Sequence, residues 1–543
     1  MSMYRGSLVL LVMIVAAAAV RGAGQPAANG YQQLLRLHDE YVTARQLPSV
    51  EGLPDHGPAA IAAREKAVGD LRARLRDIDP AAWPVSRRID YLLVRAALDG
   101  LDFEHRVVRP WARDPGTYVD AIARLPYTAL PIPADRLPRV RAQLVAVPEF
   151  LKQAAAQLGS PAGELTDIAI RQLEQSDGIN QGEPRRAMPP EGIIGWYADL
   201  VERLAQHHPD LVPAAQQARA SVTALRDTLQ QRRPTMSTPA WIGLEHYDWY
   251  LRHVRLMPFT SADVRELGRR EEARARAFLA IEQHRNRALP PMSIAVSEED
   301  HARRVRDAET HIRDFIRRRD LMTLPEGLPA QFQTDAFWIV RPGGKRHFWE
   351  ELTYRDPRNN HIHASIPGHQ FDSFIQRRHA NPIRRGYRDG ARAEGWAYYL
   401  EEMFLQAGLL DDLPRARELF YIAQVKRGLR IPSELNMQTG TFSLQQAIDH
   451  LVRDVPLMEP DLARYDLAIY LRRPAYGMNY VIGKIQLEQL LSDRSRQLGD
   501  TFHLGRFHDE FLAAGPIPIS LIRWEMTGLD DEVKGLWGAG SKP

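Results

Sequence analysis

Helix-forming segments separated by proline-rich joints run through most of the chain, and they limit the possible fold more than any other sequence feature. In the first segment, apolar residues at positions 31, 34, 35, 37 and 41 form the stripe of an amphipathic helix. Later segments are dominated by Ala, Leu, Arg and Gln, which are good helix formers. Strand signals are scarce, so we predict a mostly α-helical protein. The predicted helices before residue 235 cover 31–41, 61–78, 86–107, 137–158 and 197–229.

The second half of the chain continues the helical pattern with one exception. Residues 263–284 and 298–319 are rich in Arg and Glu, which is typical of long helices with solvated outer faces. Residues 481–491 form a further apolar-rich helix. The exception is the segment 335–340, Asp-Ala-Phe-Trp-Ile-Val, which is followed by a Pro-Gly-Gly turn after Arg341 and predicts a small β element. A strand there would offer an edge for an extended substrate, although a buried segment without that role fits the sequence equally well.

Charge and size exclude some classes of function. The chain has 543 residues, enough for one large domain or two medium ones. It has no internal repeat of fixed period, so a solenoid is not favoured. Its 71 basic and 68 acidic residues nearly balance, and we find no nucleic-acid recognition motif. We therefore expect no nucleic-acid partner.

The N-terminus has the pattern of an export signal. Arg5 is followed by a continuous apolar stretch from Leu8 to Val20 and then by the small residues Ala23 and Gly24. The apolar stretch is too short to span a bilayer, which needs about 20 residues. We predict a signal peptide over residues 1–23, with an approximate cleavage point, a periplasmic or secreted protein, and no membrane insertion after cleavage. The chain has no cysteine, which excludes disulfides, thiolate ligands and a lipid-modified cysteine.

Two histidines and a glutamate form the strongest candidate site. His363 and His369 are six residues apart, and Glu394 follows about 25 residues later at the head of a helix-like run. On an unbroken helix, six residues turn through about 600°, so the two side chains would diverge. Pro367 and Gly368 favour a break that would bring the imidazoles back together. We predict that His363, His369 and Glu394 bind one zinc ion.

Two other interpretations of the histidines stay open. In the first, His363 and His369 are hydrogen-bonded residues of a polar pocket with no metal. In the second, His361 and His363 are the ligand pair, since alternate residues of a strand share one face.

These residues also carry a family resemblance. The segment 363–369, with Glu394, Gly395 and Trp396, resembles the bacterial domain-of-unknown-function family 885, whose signature is His-Glu-x-x-Pro-Gly-His followed by Glu-Gly-Trp-x-x-Tyr-x-Glu. The likeness covers most of the chain beyond the signal peptide. Other segments similar to blocks of this family are 242–247, 267–268, Pro474, 480–483, 507–509 and 515–518.

The family is in turn similar to zinc peptidases whose third ligand is a glutamate. The resemblance implies one large multi-helix domain with a deep channel, and a peptide or small amide as substrate. It divides the chain into an N-terminal helical region (30–235) and a metallopeptidase-like helical region (236–537), which we expect to form one continuous fold, followed by a tail (538–543).

One departure from the family pattern concerns the chemistry directly. Where the family has the glutamate that moves the proton of the attacking water, this chain has Ala364. Such general acid–base help contributes about 10²–10⁴-fold in rate. Glu401, Glu402 and Asp372 are candidates for a relocated base, and Glu401 is also a candidate to support the metal ligands.

Further candidates follow from the mechanism that the resemblance implies. Tyr480, Tyr476 and His508 are candidates to stabilise an oxyanion opposite the metal, and Tyr476 also to bind substrate. Arg472 and Arg473 are candidates to bind a substrate carboxylate. Six arginines between His369 and Glu394 predict either a solvated loop or an electropositive rim; they are Arg377, Arg378, Arg384, Arg385, Arg388 and Arg392.

The sequence therefore predicts an exported, zinc metallopeptidase-like protein that acts on peptides or a small amide, with catalysis impaired by Ala364. The alternatives are a non-catalytic peptide-binding pseudoenzyme and a helical scaffold with an empty site. Whether the chain is an enzyme stays open, as does its oligomeric state.

Overall fold

The computed structural model describes residues 25–177, 179, 188–333 and 337–537. The predicted signal segment, 1–23, and the predicted tail, 538–543, lie outside them. The first twelve α-helices are α1 (Gln25–Ala44), α2 (Pro58–Arg76), α3 (Val85–Phe103), α4 (Pro110–Arg113), α5 (Gly116–Ile122), α6 (Leu137–Gln157), α7 (Gly163–Glu174), α8 (Gly192–His207), α9 (Val212–Arg232), α10 (Leu244–His253), α11 (Ser261–Arg285) and α12 (Glu298–Arg319).

The remaining helices are α13 (Phe348–Thr353), α14 (Arg358–Ala364), α15 (His369–Gln376), α16 (Pro382–Gly386), α17 (Gly390–Gln406), α18 (Ala416–Gln438), α19 (Leu444–Asp454), α20 (Pro460–Arg472), α21 (Asn479–Leu498), α22 (Leu504–Ala513), α23 (Ile519–Thr527) and α24 (Asp531–Lys534). Short 3₁₀ turns and one π turn (Glu104–Val108) join some of them. Two strands, β1 (Ser49–Val50) and β2 (Leu53–Pro54), form an antiparallel pair. The prediction of a mostly α-helical fold is confirmed.

Two local predictions were wrong. The segment 197–229 is two helices, α8 and α9, because the chain turns at His208–Pro209, and a residue before proline disfavours the helical conformation. The predicted β element near 335–340 is absent from its described part, Phe337–Val340; Asp335 and Ala336 lie outside the described residues. In this segment the Tyr354 hydroxyl, and not a neighbouring strand, bonds two backbone groups. It donates to the Phe337 carbonyl at 2.8 Å and accepts from the Ile339 N–H at 2.8 Å.

The centre of the molecule is built on α17 and α18. Asp389 caps α17 by accepting a hydrogen bond from the Arg392 N–H, and every residue of this helix from Gly395 to Leu405 is buried. A helix that is apolar around most of its circumference must be surrounded by others. Accordingly, α17 packs against α14 and α21, while α18 packs against α11. This central position holds Glu394, near the start of α17, in a rigid frame.

The N-terminal region has a hydrophobic core of its own, formed by residues between Leu53 and Leu229. The main core instead joins α1 and α3 to the C-terminal helices. A cavity of about 1230 Å³, lined by residues of both regions, lies between them and corresponds to the predicted channel. None of the helices in the described part of the chain is both long and apolar enough to cross a membrane.

Candidate metal centre

The chain breaks between the two histidines where the sequence predicts it. Helix α14 ends at Ala364 and α15 begins at His369, so the imidazoles come from two short helices joined by a tight turn. A side chain at Gly368 would place its Cβ 1.8 Å from the His363 carbonyl oxygen, so only glycine fits this turn. The indole N–H of Trp396 donates to the Pro367 carbonyl at 3.0 Å. The ring centroids of His363 and His369 are thereby 4.7 Å apart.

Glu394 completes the cluster from α17. Its Oε2 atom lies 3.4 Å from Nε2 of His363 and 3.3 Å from Nε2 of His369. One donor atom of each of the three residues lies within 4.8 Å of the others. Bonds of the usual length from a tetrahedral zinc ion to nitrogen and oxygen would place neighbouring donor atoms about 3.4 Å apart. The two His–Glu separations match this edge length.

The electrostatics of the cluster also suit a cation. Glu394 Oε2 is buried and has no hydrogen-bond partner in the described part of the chain. Burial alone would raise the pKa of the Glu394 carboxyl, but the two neighbouring histidines hold it well below its usual range. The carboxylate is thus ionised, and a buried carboxylate oxygen is costly unless a cation or close donors satisfy it.

Glu401 supports His363 from behind. Its Oε1 lies 2.7 Å from Nδ1 of His363, while its Oε2 accepts hydrogen bonds from Arg427 at 2.5 Å and from the Asn359 amide at 2.8 Å. Burial by itself lowers the pKa of His363, but Glu394 and Glu401 outweigh it and leave that pKa raised. With both oxygens engaged, Glu401 holds the His363 ring in place and has no free oxygen for a substrate proton.

The other two candidates for a relocated base point elsewhere. Glu402 pairs with Arg274 and Lys484, and Asp372 pairs with Arg392 at 2.5 Å. Neither of these carboxylates lines the cavity, whereas Ala364 does. The structure therefore places no carboxylate candidate from the sequence in the position of the missing base.

The alternative ligand pair, His361 and His363, does not fit the structure. His361 lies on a helix, where residues two apart point in different directions. Its Nε2 lies 3.0 Å from Glu309 Oε2, in the buried interface with α12. His361 is therefore a structural partner of Glu309.

Of the three residues predicted to stabilise an oxyanion, two line the cavity and one does not. The ring of Tyr480 is nearly parallel to that of His363, with centroids 6.1 Å apart, and both Tyr476 and Tyr480 line the cavity. Burial and then Glu394 raise the pKa of both phenols, which stay protonated donors. His508 is fully buried between Tyr399, 2.9 Å from its Nε2, and the Leu321 carbonyl, 2.6 Å from its Nδ1. Its prediction as an oxyanion donor was wrong, because both ring nitrogens serve the core.

The two arginines predicted to bind a substrate carboxylate lie in different surroundings. Arg472 lines the cavity but is ion-paired with Asp114 at 2.7 Å and with Asp120 at 2.8 Å, so it ties α20 to the N-terminal region. Arg473 is exposed on the cavity wall. The six arginines between His369 and Glu394 do not line the cavity, and the predicted rim is absent there.

The positive charge near the cluster comes instead from α18, whose cations are not among the site residues predicted from the sequence. Arg427 and Arg430 line the cavity, and Lys426 is buried beside them. The signal was present in the sequence: Lys426, Arg427 and Arg430 lie in the otherwise largely apolar stretch 419–431, and cations are rarely buried without a partner.

The fold and the cluster define a helical protein with a His–His–Glu group of metal-site geometry on the wall of a large cavity. The chain belongs to the family described as "Bacterial protein of unknown function (DUF885)", which matches residues 43–320 and 329–526. The family predicted from the motifs is confirmed. A comparison with curated proteins gives no match.

Two solved structures share the fold. One, described as "a putative lipoprotein of unknown function" from Shewanella oneidensis, has a TM-score of 0.69 and 18% identity, covering 92% of this chain and 99% of the other. The second, "the putative lipoprotein" from Colwellia psychrerythraea, has a TM-score of 0.67 and 15% identity, covering 93% and 98%. At such identities, the likeness concerns the fold alone.

Proposed function

We propose that this protein binds one zinc ion through His363, His369 and Glu394 and takes a peptide or small amide into the adjoining cavity. The observation that carries the proposal is the pair of His–Glu separations, 3.4 and 3.3 Å, around a buried carboxylate oxygen that lacks a hydrogen-bond donor. Zinc bound there would supply a Lewis acid for a carbonyl oxygen. The resemblance to glutamate-liganded zinc peptidases supports the same assignment.

The residues around the centre suit the binding of a carbonyl compound. Glu401 and Arg427 hold the His363 ring in a fixed orientation. The phenols of Tyr480 and Tyr476 stay protonated at neutral pH and line the same cavity, so they are suited to donate to a ligand oxygen. One such donor contributes about 3 kcal/mol where charge develops on that oxygen.

Hydrolysis, by contrast, lacks its usual base. Ala364 has no group that accepts a proton, and Glu401, Glu402 and Asp372 are all engaged in ion pairs. Two further carboxylates of the cavity wall are also paired: Glu350 with Arg341, and Asp466 with Lys426. We therefore propose that the protein binds its ligand far better than it cleaves it. This favours the peptide-binding pseudoenzyme over an efficient peptidase.

Export is also part of the proposal. The apolar N-terminal segment has the pattern of a signal peptide, and both solved relatives carry a lipoprotein description. Because this chain has no cysteine, we propose a periplasmic or secreted location without a lipid on cysteine.

The test is elemental mass spectrometry of the purified, zinc-loaded protein beside a His363→Ala/His369→Ala double variant. A His207→Ala/His284→Ala variant, which removes two exposed histidines, is the matched control. We expect about one zinc per chain in the wild type and control and none in the site variant. A tripeptide library then measures binding and cleavage on the same samples. Lack of zinc in the loaded wild type contradicts the metal proposal, and rapid zinc-dependent cleavage contradicts the pseudoenzyme.

A further inference from the structure

Helix α18 carries an unusual group of buried cations next to the cavity. Lys426, Arg427 and Arg430 are 0%, 2% and 3% exposed. Removing a charge from water costs several kcal/mol unless an opposite charge and hydrogen bonds compensate it. Each of the three therefore needs a carboxylate partner.

The described carboxylates provide only two such partners. Arg427 pairs with Glu401 at 2.5 Å. Lys426 and Arg430 share a single carboxylate, Asp466, whose Oδ2 lies 2.9 and 3.1 Å from them. Glu459, which also acts on Lys426, is held by the backbone N–H groups of Phe348 and Leu462. Lys426 and Arg430 therefore depend on one carboxylate between them, and Arg430 has no carboxylate of its own.

The hydrogen bonds of Arg430 are incomplete in the same way. Its Nη2 donates to Asp466, while Nε and Nη1 are buried with no hydrogen-bond partner among the residues that the structure describes. Its guanidinium carbon lies 4.2 Å from the ring centroid of Tyr480 and 5.8 Å from that of Tyr470. Nη1 together with the second N–H of Nη2 forms the planar fork that a carboxylate takes with two bonds.

The position of Arg430 relates this fork to the candidate metal centre. The Tyr480 ring centroid is 4.2 Å from the Arg430 guanidinium carbon and 6.1 Å from the His363 ring centroid, so the last two lie at most about 10 Å apart. An extended chain spans about 3.3–3.6 Å per residue, so this gap is bridged by about three residues. Both groups line the same cavity.

We propose that Arg430 is the binding site for a carboxylate of the cavity ligand, and that the ligands are peptides or amides with a carboxylate within about three residues of the group at the metal. Only the placement of the other ligand group at the metal rests on the proposed function; the carboxylate site at Arg430 does not. The carboxylate belongs either to the C-terminus of a peptide or to an acidic side chain, and both would bind the same fork.

The experiment uses zinc-loaded full-length protein and three N-acetyl tripeptides in isothermal calorimetry. The first is Ala-Ala-Ala with a free C-terminus, the second is its C-terminal amide, and the third is Asp-Ala-Ala as the C-terminal amide. We expect at least one carboxylate peptide to bind about tenfold or more tighter than the uncharged amide, as is typical of charge-assisted hydrogen bonds. Which of the two binds identifies the source of the carboxylate.

The variants are Arg430→Gln and Arg430→Lys, with Arg124→Gln on the N-terminal wall of the cavity as the control. Arg430→Gln should abolish the preference for the carboxylate, Arg430→Lys should keep part of it, and Arg124→Gln should leave it unchanged. Zinc content and circular dichroism show which variants fold and bind zinc. If Arg430→Gln does not fold, Arg430→Lys still tests the proposal.

Two outcomes overturn the inference: equal binding of all three peptides by zinc-loaded wild type, including no binding at all, or an unchanged preference in a folded Arg430→Gln. Failure of the metal proposal alone gives a different result: the protein contains no zinc but still binds the carboxylate peptides more tightly than the uncharged amide.

Discussion

Glu401 Oε1 lies 2.7 Å from Nδ1 of His363, and this contact determines which ring nitrogen faces Glu394. A carboxylate accepts but does not donate, so Nδ1 carries a proton in this pair, and Nε2 is the nitrogen that a cation would bind. Such outer partners also fix the orientation of the ring. Glu401 is therefore a positioning residue of the candidate metal centre.

Glu401→Gln should lower zinc affinity about 10–100-fold, which is the usual effect of losing such a partner. A competition titration with a zinc chelator measures it. Glu402→Gln is the control, because Glu402 is the next residue of α17 and is also buried but pairs with Arg274 and Lys484. We expect Glu402→Gln to change stability and to leave zinc affinity as it is. Equal losses of zinc affinity in both variants would mean that the effect comes from the fold.

Ala364→Glu should create or strengthen peptide cleavage. Ala364 lines the cavity one residue after His363, so a carboxylate there would reach the solvent beside the candidate metal centre. A positioned general base contributes about 10²–10⁴-fold in rate. The rate of cleavage of a quenched fluorescent peptide, with and without zinc, is the measurement. Ala364→Gln has a similar size without the base, and an equal gain in that variant would rule out general-base chemistry.

Parts of this site were predictable from sequence and others were not. Pro367 and Gly368 predict the break between the histidines because their backbone constraints are local. The partners of His508 and Arg472 could not be predicted, because spacing in the sequence does not say which side chain contacts them. Tyr399 contacts His508, and Asp114 contacts Arg472. Arg430 was missed because its partner Asp466 comes from another helix, α20. Long-range partners decide whether a polar residue faces a cavity or the core.

The Gly-Trp part of the family signature has a packing explanation. A Cβ on Gly395 would lie 2.4 Å from the backbone of Gly483, and one on Gly483 would lie 1.9 Å from the Ala391 carbonyl oxygen. Helices α17 and α21 therefore approach so closely that neither glycine admits a side chain. Glu394 immediately precedes this contact, so its position depends on it.

Gly483→Ala should lower the free energy of unfolding by about 1–3 kcal/mol or more through overpacking, and should also weaken zinc binding. Chemical denaturation and the chelator titration measure the two effects. Gly69→Ala is the matched control, because Gly69 lies within α2 with open space around its Cα. That variant should be more stable by about 0.5–1 kcal/mol, since alanine favours helix. A stable Gly483→Ala with normal zinc affinity would contradict the packing argument.

Glu434 anchors the segment that carries Tyr476. Its Oε1 accepts hydrogen bonds from the Ala475 N–H and from the Tyr247 hydroxyl, the latter at 3.2 Å. Burial raises the pKa of this carboxyl to about 7, although the backbone N–H groups of Ala475 and Gly477 oppose the increase. The folded protein therefore holds a proton on Glu434 at pH values where the unfolded chain has lost it.

This difference predicts how stability depends on pH. A carboxyl whose folded pKa is raised contributes stability that is complete below the unfolded value of 4.5 and is lost as the pH rises through about 7. The shift corresponds to about 3 kcal/mol. In Glu434→Gln, which resembles the protonated form, the free energy of unfolding should fall less between pH 4.5 and 7.5 than in wild type. Urea denaturation across this range measures both curves, and parallel curves would show that Glu434 is ionised in the folded protein.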